Sequence, residues 1–191
     1  MKNIMKIAGA AVVAVALTQS VQATLVQGNI GFGGTVTYDT SSAATASAVT
    51  SWINPIVSAD SGAFTSIAIG THATFTTMTW DFLTTPPGIT SFWTVGGFTF
   101  QLLSSSILSH GGTPGVNGFV VVDGTGTVTG NGYAATTLSW SFTSQDPIAG
   151  TDPDQWTFSA SANSVPDGGA TVMLLGLALS GAALLKKKLT A

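Results

Sequence analysis

From Thr24 to Asn163 the chain contains no lysine, arginine, glutamate or cysteine. No other feature restricts its fold so strongly. All five basic residues lie outside that stretch, as Lys2, Lys6, Lys186, Lys187 and Lys188. Without cations the middle cannot be held by ion pairs. Without cysteine it has neither disulfides nor thiolate metal sites. It must rest on apolar burial and hydrogen bonds, and about 140 residues suffice for a core of that kind. Seven of the eight acidic residues, all aspartate, fall within it. With no lysine or arginine to meet phosphate, nucleic-acid binding is excluded there, as are phosphate clamps, arginine fingers and Schiff-base lysines.

Thr, Ser, Gly, Ala, Val and Phe dominate this middle. β-branched and aromatic residues fit pleated, half-buried surfaces, so strands are favoured over helices. The pattern predicts strands over 28–38, 46–56, 63–69, 74–82, 90–103, 116–123, 126–129, 134–144 and 156–162. Residues 41–50 also suit a short helix. Breaks are expected at Asp60-Ser61-Gly62, Pro86-Pro87-Gly88, 111–115, Asp123-Gly124, Asn131-Gly132 and 146–153. Asn131-Gly132 is a type I′ hairpin signal, because both positions of that turn need positive φ. Many short antiparallel strands imply an all-β, sandwich-like fold in two layers, with no linker inside it.

The two ends read differently. Residues 1–23 have the order of a secretory signal helix. Lys2 and Lys6 lead, an apolar run follows over 7–17, and Val21-Gln22-Ala23 offers small residues for cleavage after Ala23. That apolar run is too short for a stable span, although a short N-terminal anchor is the alternative. At the other end, residues 170–185 carry no ionisable side chain and are followed by Lys186, Lys187 and Lys188. As a transmembrane helix they reach about 24 Å, short of the roughly 30 Å hydrocarbon layer. The lysines form a stop that stays in the cytoplasm. A span this marginal suits a temporary anchor, with a permanent C-terminal anchor as the plainer option. The expected organisation is a signal helix over 1–23, an exported β domain over 24–163 and a tail over 164–191.

Val165-Pro166-Asp167-Gly168-Gly169 precedes the apolar run. This motif, the Gly- and Leu-rich span and the basic cluster together resemble the PEP-CTERM class of bacterial sorting signals. The VPDSG-CTERM variant is the closer match, with Gly168 where that variant usually has Ser. The resemblance covers only the tail. It implies recognition by an exosortase, a membrane-embedded transpeptidase, and processing near the motif. It further implies transient anchoring in the membrane, then release or attachment at the cell surface, often alongside exopolysaccharide.

Trp80-Asp81-Phe82, Trp140-Ser141-Phe142 and Trp156-Thr157-Phe158 share a W-x-F spacing, with Phe92-Trp93 a looser relative. Residues two apart point to one face of a strand, so each pair sets two large rings side by side. Such rings build a core, or, if exposed, a platform for sugar rings. Asp146, Asp152 and Asp154 share a proline-punctuated loop. Three carboxylates without a cation repel one another, which suits either a solvated turn or a weak Ca²⁺ site with loop carbonyls. His72 and His110 have no metal-binding spacing. The glycine-rich 124–130 lacks the lysine of a phosphate loop, and no G-x-S-x-G elbow accompanies Ser109-His110-Gly111-Gly112. No nucleophile–base pair stands out. The expectation is a non-enzymatic cell-surface or extracellular-matrix protein. The alternative is a carbohydrate-binding module with exposed aromatics, with or without Ca²⁺.

Overall fold

The computed structural model describes residues 23–80, 88–147 and 156–164, together with Leu175 and Leu179 of the tail. Among these described residues nine strands follow one another: β1 (Asn29–Tyr38), β2 (Ala48–Asp60), β3 (Thr74–Phe75), β4 (Met78–Thr79), β5 (Ile89–Val95), β6 (Phe98–Gly111), β7 (Phe119–Gly130), β8 (Tyr133–Gln145) and β9 (Trp156–Ser164). All belong to one sheet, in the order β3-β5-β6-β7-β8-β9-β1-β2-β4. Every pairing between named strands is antiparallel.

The strands alternate strictly enough to give the sheet one apolar face. On β8, Leu138, Trp140 and Phe142 are buried, Ser139 and Ser141 between them are half-buried, and Thr137 and Thr143 on either side are exposed. A single sheet with one greasy face must cover it. Here the sheet curls until that face encloses itself, with register shifts in the β1–β2 and β6–β7 ladders adding twist. Residues 70–80 then stitch the two ends together. Ala73 N–H donates to Pro55 O at 2.9 Å and Val57 N–H to Thr71 O at 2.9 Å, on β2. In the middle of the same segment Thr74 and Phe75 pair with Thr94 and Trp93 of β5. Further on, Met78 and Thr79 return to Val49 and Ala48 of β2.

The expected two-layer sandwich is therefore corrected to one curled sheet. Period-two alternation demands a cover for the apolar face, and it is silent on whether a second sheet or curling supplies it. The interior is aromatic. Trp93 stacks on Phe100 at 5.2 Å, and Phe92 meets Trp140 edge-on at 5.1 Å. The Trp93 and Trp140 indole N–H groups are buried without a hydrogen-bond acceptor. In such a packed aromatic core, ring faces are the remaining weak acceptors.

Several expected elements move. The strand expected over 63–69 is a single 3-10 turn at Gly62–Phe64 followed by further turns. Phe64 packs on Phe98 at 4.8 Å and plugs one end of the barrel. The single strand expected over 90–103 is two, β5 and β6, folded back at Gly96-Gly97, where φ is 54° and 81°. Asp123-Gly124 is no break: β7 runs through it. Residues 41–50 form a loop and the start of β2 rather than a helix. Asn131 and Gly132 do turn with positive φ, 49° and 78°. The expected flanking helices are not supported. Residues 1–22 lie outside the described residues. Of 170–185 only Leu175 and Leu179 are described, both helical and exposed. Among the described residues no helix is long and apolar enough to cross a membrane.

Candidate functional site

The tail leaves the barrel from the inside of the sheet, not from an edge. β9 lies between β8 and β1, and its last residue, Ser164, pairs with Leu138. Ser164 N–H donates to Gly28 O at 2.9 Å, and Gly28 N–H returns a bond to Ser164 Oγ at 3.1 Å. One residue back, Asn29 Nδ2 donates to Asn163 Oδ1. The first described residues therefore meet the last strand at one rim. Ala23, the expected cleavage position, is exposed there. Val165, Pro166, Asp167, Gly168 and Gly169 follow directly, with no spacer. They lie outside the described residues, as do Lys186, Lys187 and Lys188.

The same rim carries the plug. Ser61 N–H donates to Asn29 O at 2.8 Å and Ala63 N–H to Gln27 O at 2.8 Å, which fastens the 3-10 turn to the start of β1. Asn131 Nδ2 donates to Gly96 O at 2.9 Å and ties the β7–β8 turn to the β5–β6 turn.

The opposite end is organised by Asp146. Of the three aspartates proposed for Ca²⁺, Asp152 and Asp154 lie outside the described residues. Asp146 is buried, with 6 % of its surface exposed, and its carboxylate collects four donors. Ser42 Oγ reaches Oδ2 at 2.7 Å and Ala43 N–H reaches Oδ1 at 2.7 Å. Gly115 N–H and Gly118 N–H reach Oδ2 at 2.7 Å and 3.2 Å. Asp146 N–H in turn donates to Gly118 O at 2.7 Å. One carboxylate thus joins the loop after β1, the β6–β7 loop and the end of β8. Gly118 must be glycine, because a Cβ there would stand 2.5 Å from both Asp146 Oδ2 and Ser42 Oγ. Sequence reading found Asp146 but not its partners. The signals were Ser42 and Gly118, and neither is remarkable without its neighbours in space.

Two other groups near this end are perturbed. Burial raises the Tyr38 phenol far above its ordinary value; a hydrogen bond with Ser144 works against the shift and the Asp146 charge adds to it. For Asp39, slight burial pushes upward, yet bonds from the Ser47 hydroxyl and the Ser47 and Ala48 N–H groups outweigh it and hold the carboxyl below its ordinary value. His72 is exposed and bridges Ile56 through its backbone. His110 Nδ1 lies 3.0 Å from Ala44 O. Among the described residues no three His, Cys, Asp or Glu side chains gather where a metal ion could sit.

The described W-x-F rings face inward. Trp140 and Phe142 are both buried, as the spacing requires, and so are Trp80 and Phe158. Trp80 Nε1 donates to Ala46 O at 2.6 Å. Phe92 and Trp93, neighbours in sequence, are both buried because Ser91 takes φ 52° and the β5–β6 register breaks between Ile89 and Trp93. Phe82 and the Trp156 side chain lie outside the described set. A groove of about 480 Å³ runs across β7, β8 and β9 on the outer face. Phe119, Val121, Thr143, Gln145, Thr157 and Ser159 present uncharged side chains to it.

Comparison with known proteins adds one match. No curated protein and no solved structure matches the chain. The family model described as the VPDSG-CTERM motif matches residues 164–189, and so begins on the final residue of β9. That match assigns no enzyme family. Residues 164–189 of this chain thus carry a VPDSG-CTERM sorting motif, as PEP-CTERM-like sorting-domain proteins do.

Proposed function

We propose that the chain is a non-enzymatic cell-surface or extracellular-matrix protein, exported, sorted through its tail by an exosortase-type transpeptidase, and displayed as a curled β domain. The motif match at residues 164–189 carries the sorting half of this reading. The display half draws on the middle of the chain. Of its described tryptophans, Trp80, Trp93 and Trp140 are buried in the core and Trp52 packs half-buried against it. Its outer face is largely hydroxyl-bearing, as in the rows Thr125–Ser139–Asn163 and Asp123–Ser141–Ser161 across β7, β8 and β9. A surface of this kind suits an exopolysaccharide setting, where hydroxyls exchange water for sugar at little cost. The test follows the protein's mass and location in cells with and without the sorting enzyme. Loss of the tail and arrival at the surface only when the enzyme is present supports the reading. A cytosolic chain with its tail intact refutes it.

The groove between Phe119 and Ser159 favours a second reading, a carbohydrate-binding module. Its size lies in the usual range for small-ligand sites, and it combines an aromatic ring with uncharged polar groups. Titration of neutral oligosaccharides against the parent and Phe119→Ala tests it. Equal heats for both sink it. The Ca²⁺ version is tested by melting with Ca²⁺ and with chelator. Because a cation at Asp146 must displace four existing donors, the expected midpoints are equal.

A further inference from the structure

β8 extends past the point where β9 ends at Ser164. β8 begins at Tyr133, whereas β9 reaches only as far as Leu138. A β9 that simply continued in register would lay Val165 opposite Thr137 and Gly168 opposite Ala134. The lane is already taken. Leu25 forms a parallel bridge with Ala134, and Ala134 N–H donates to Thr24 O at 3.0 Å. Val26 N–H donates to Thr136 Oγ1 at 2.9 Å, and the Val26 side chain is fully buried. Gly28, bonded twice to Ser164, ends this short segment where the two chains meet.

We propose that residues 24–28 present the sorting motif. They occupy the lane along β8 into which the motif would otherwise zip. The chemistry of peptide recognition makes this matter. An enzyme that takes an extended peptide needs the backbone N–H and C=O groups of that peptide unpaired. Residues 161–163 are paired on both sides, with β8 and with β1, and Ser164 is held between Leu138 and Gly28, so none can serve without opening the sheet. The motif can serve only if it is kept off β8. Pro166 contributes in the same direction, since it has no N–H to give a ladder. The N-terminal segment is thus a positioning element for the tail, although more than 130 residues separate Gly28 from Ser164 in sequence. The inference rests on the sorting reading above for its consequence, while the lane itself rests on the hydrogen bonds alone.

The test uses the full chain in its host, with pulse-chase and intact mass as readouts. Two variants loosen the segment. Val26→Asp places a charge in a buried position, and Thr136→Val removes one acceptor at nearly constant volume. Each is made with and without an eight-residue Gly/Ser spacer between Ser164 and Val165. A motif that spends most of its time zipped is recognised in proportion to its free fraction. Processing should slow roughly tenfold in Val26→Asp and a few-fold in Thr136→Val. The spacer should restore the parental rate in both, because the spacer then fills the lane and the motif is free again. General unfolding is not rescued by a spacer. If Thr136→Val is processed as fast as a processed parent, or is slow and not rescued, presentation by residues 24–28 is refuted. A parent that keeps its full tail in cells with the enzyme refutes the sorting reading instead.

Discussion

Asp146→Ala is the substitution that most directly probes how this barrel is held without salt bridges. The parent carboxylate accepts from Ser42 Oγ and from the N–H groups of Ala43, Gly115 and Gly118. Truncation leaves all four without their acceptor. The hydroxyl can rotate to another partner, and the bond to Gly115 is only partly buried, so that N–H can reach water. The N–H groups of Ala43 and Gly118 are in buried bonds and cannot. Each buried unsatisfied N–H costs about 1–3 kcal/mol, or about 2–6 kcal/mol for the two. Removing a buried charge returns part of that. The expected net loss is about 3 kcal/mol, a large share of the roughly 5–15 kcal/mol that holds a domain together. At about 2–4 °C per kcal/mol this lowers the melting midpoint by about 6–12 °C. Asp146→Asn keeps one acceptor but turns an amide N–H₂ towards donors, and should lose about half as much. Urea unfolding followed by tryptophan fluorescence is the assay, because Trp80 is bonded to Ala46 in the loop that Asp146 anchors. An Asp146→Ala protein within about 1 kcal/mol of the parent, with an unchanged denaturant slope, would refute the view that this carboxylate ties the loops together.

Gly118→Ala should act on the same cluster from the other side, since its Cβ would press on Asp146 and Ser42; a midpoint lowered by several degrees, with Asp146→Ala adding little on top, is the expected urea or thermal result. Asp39 has a lowered carboxyl, so its contribution is full above the ordinary carboxylate value near pH 4 and lost as the pH falls through the folded value. Asp39→Asn should therefore flatten the acid limb of a stability–pH curve. Tyr38 is shifted upward, so its contribution is full below about pH 10 and lost as the pH rises beyond it. Tyr38→Phe should flatten the alkaline limb. Trp140→Ala opens the centre of the aromatic core and should cost about 3–5 kcal/mol by urea titration. A cost below about 1 kcal/mol would deny the ring that central place.

Much of the fold was legible because strand formation here is a local matter. The alternation in Leu138-Ser139-Trp140-Ser141-Phe142 names an inward and an outward face before any partner is known. The hairpin at Asn131-Gly132 was readable because those two residues tolerate positive φ. Gly96-Gly97 holds an equally tight turn, yet the apolar residues on both sides disguised two strands as one. Phe64 looked like a strand residue because it is apolar; its place is decided by Phe98, the ring it meets across the barrel mouth. For the site, the tail motif was legible as a string of letters, and the three-aspartate loop as a cluster of charge. That Asp146 faces inward, onto donors from residues 42, 43, 115 and 118, was not legible, because those residues are distant in sequence.

Composition and order alone determined that the middle would be β-rich and without lysine, arginine or cysteine to brace it. They also determined that the tail would carry a sorting signal. Each of these depends on which side chains exist and on their neighbours along the chain. Only the tertiary structure decided that one sheet curls on itself rather than two sheets stacking. It alone placed Thr24 and Val26 beside Ala134 and Thr136, next to the end of β9 at Ser164. Closure and lane occupancy are competitions among distant segments for the same backbone hydrogen bonds, and a local pattern carries no record of which competitor wins.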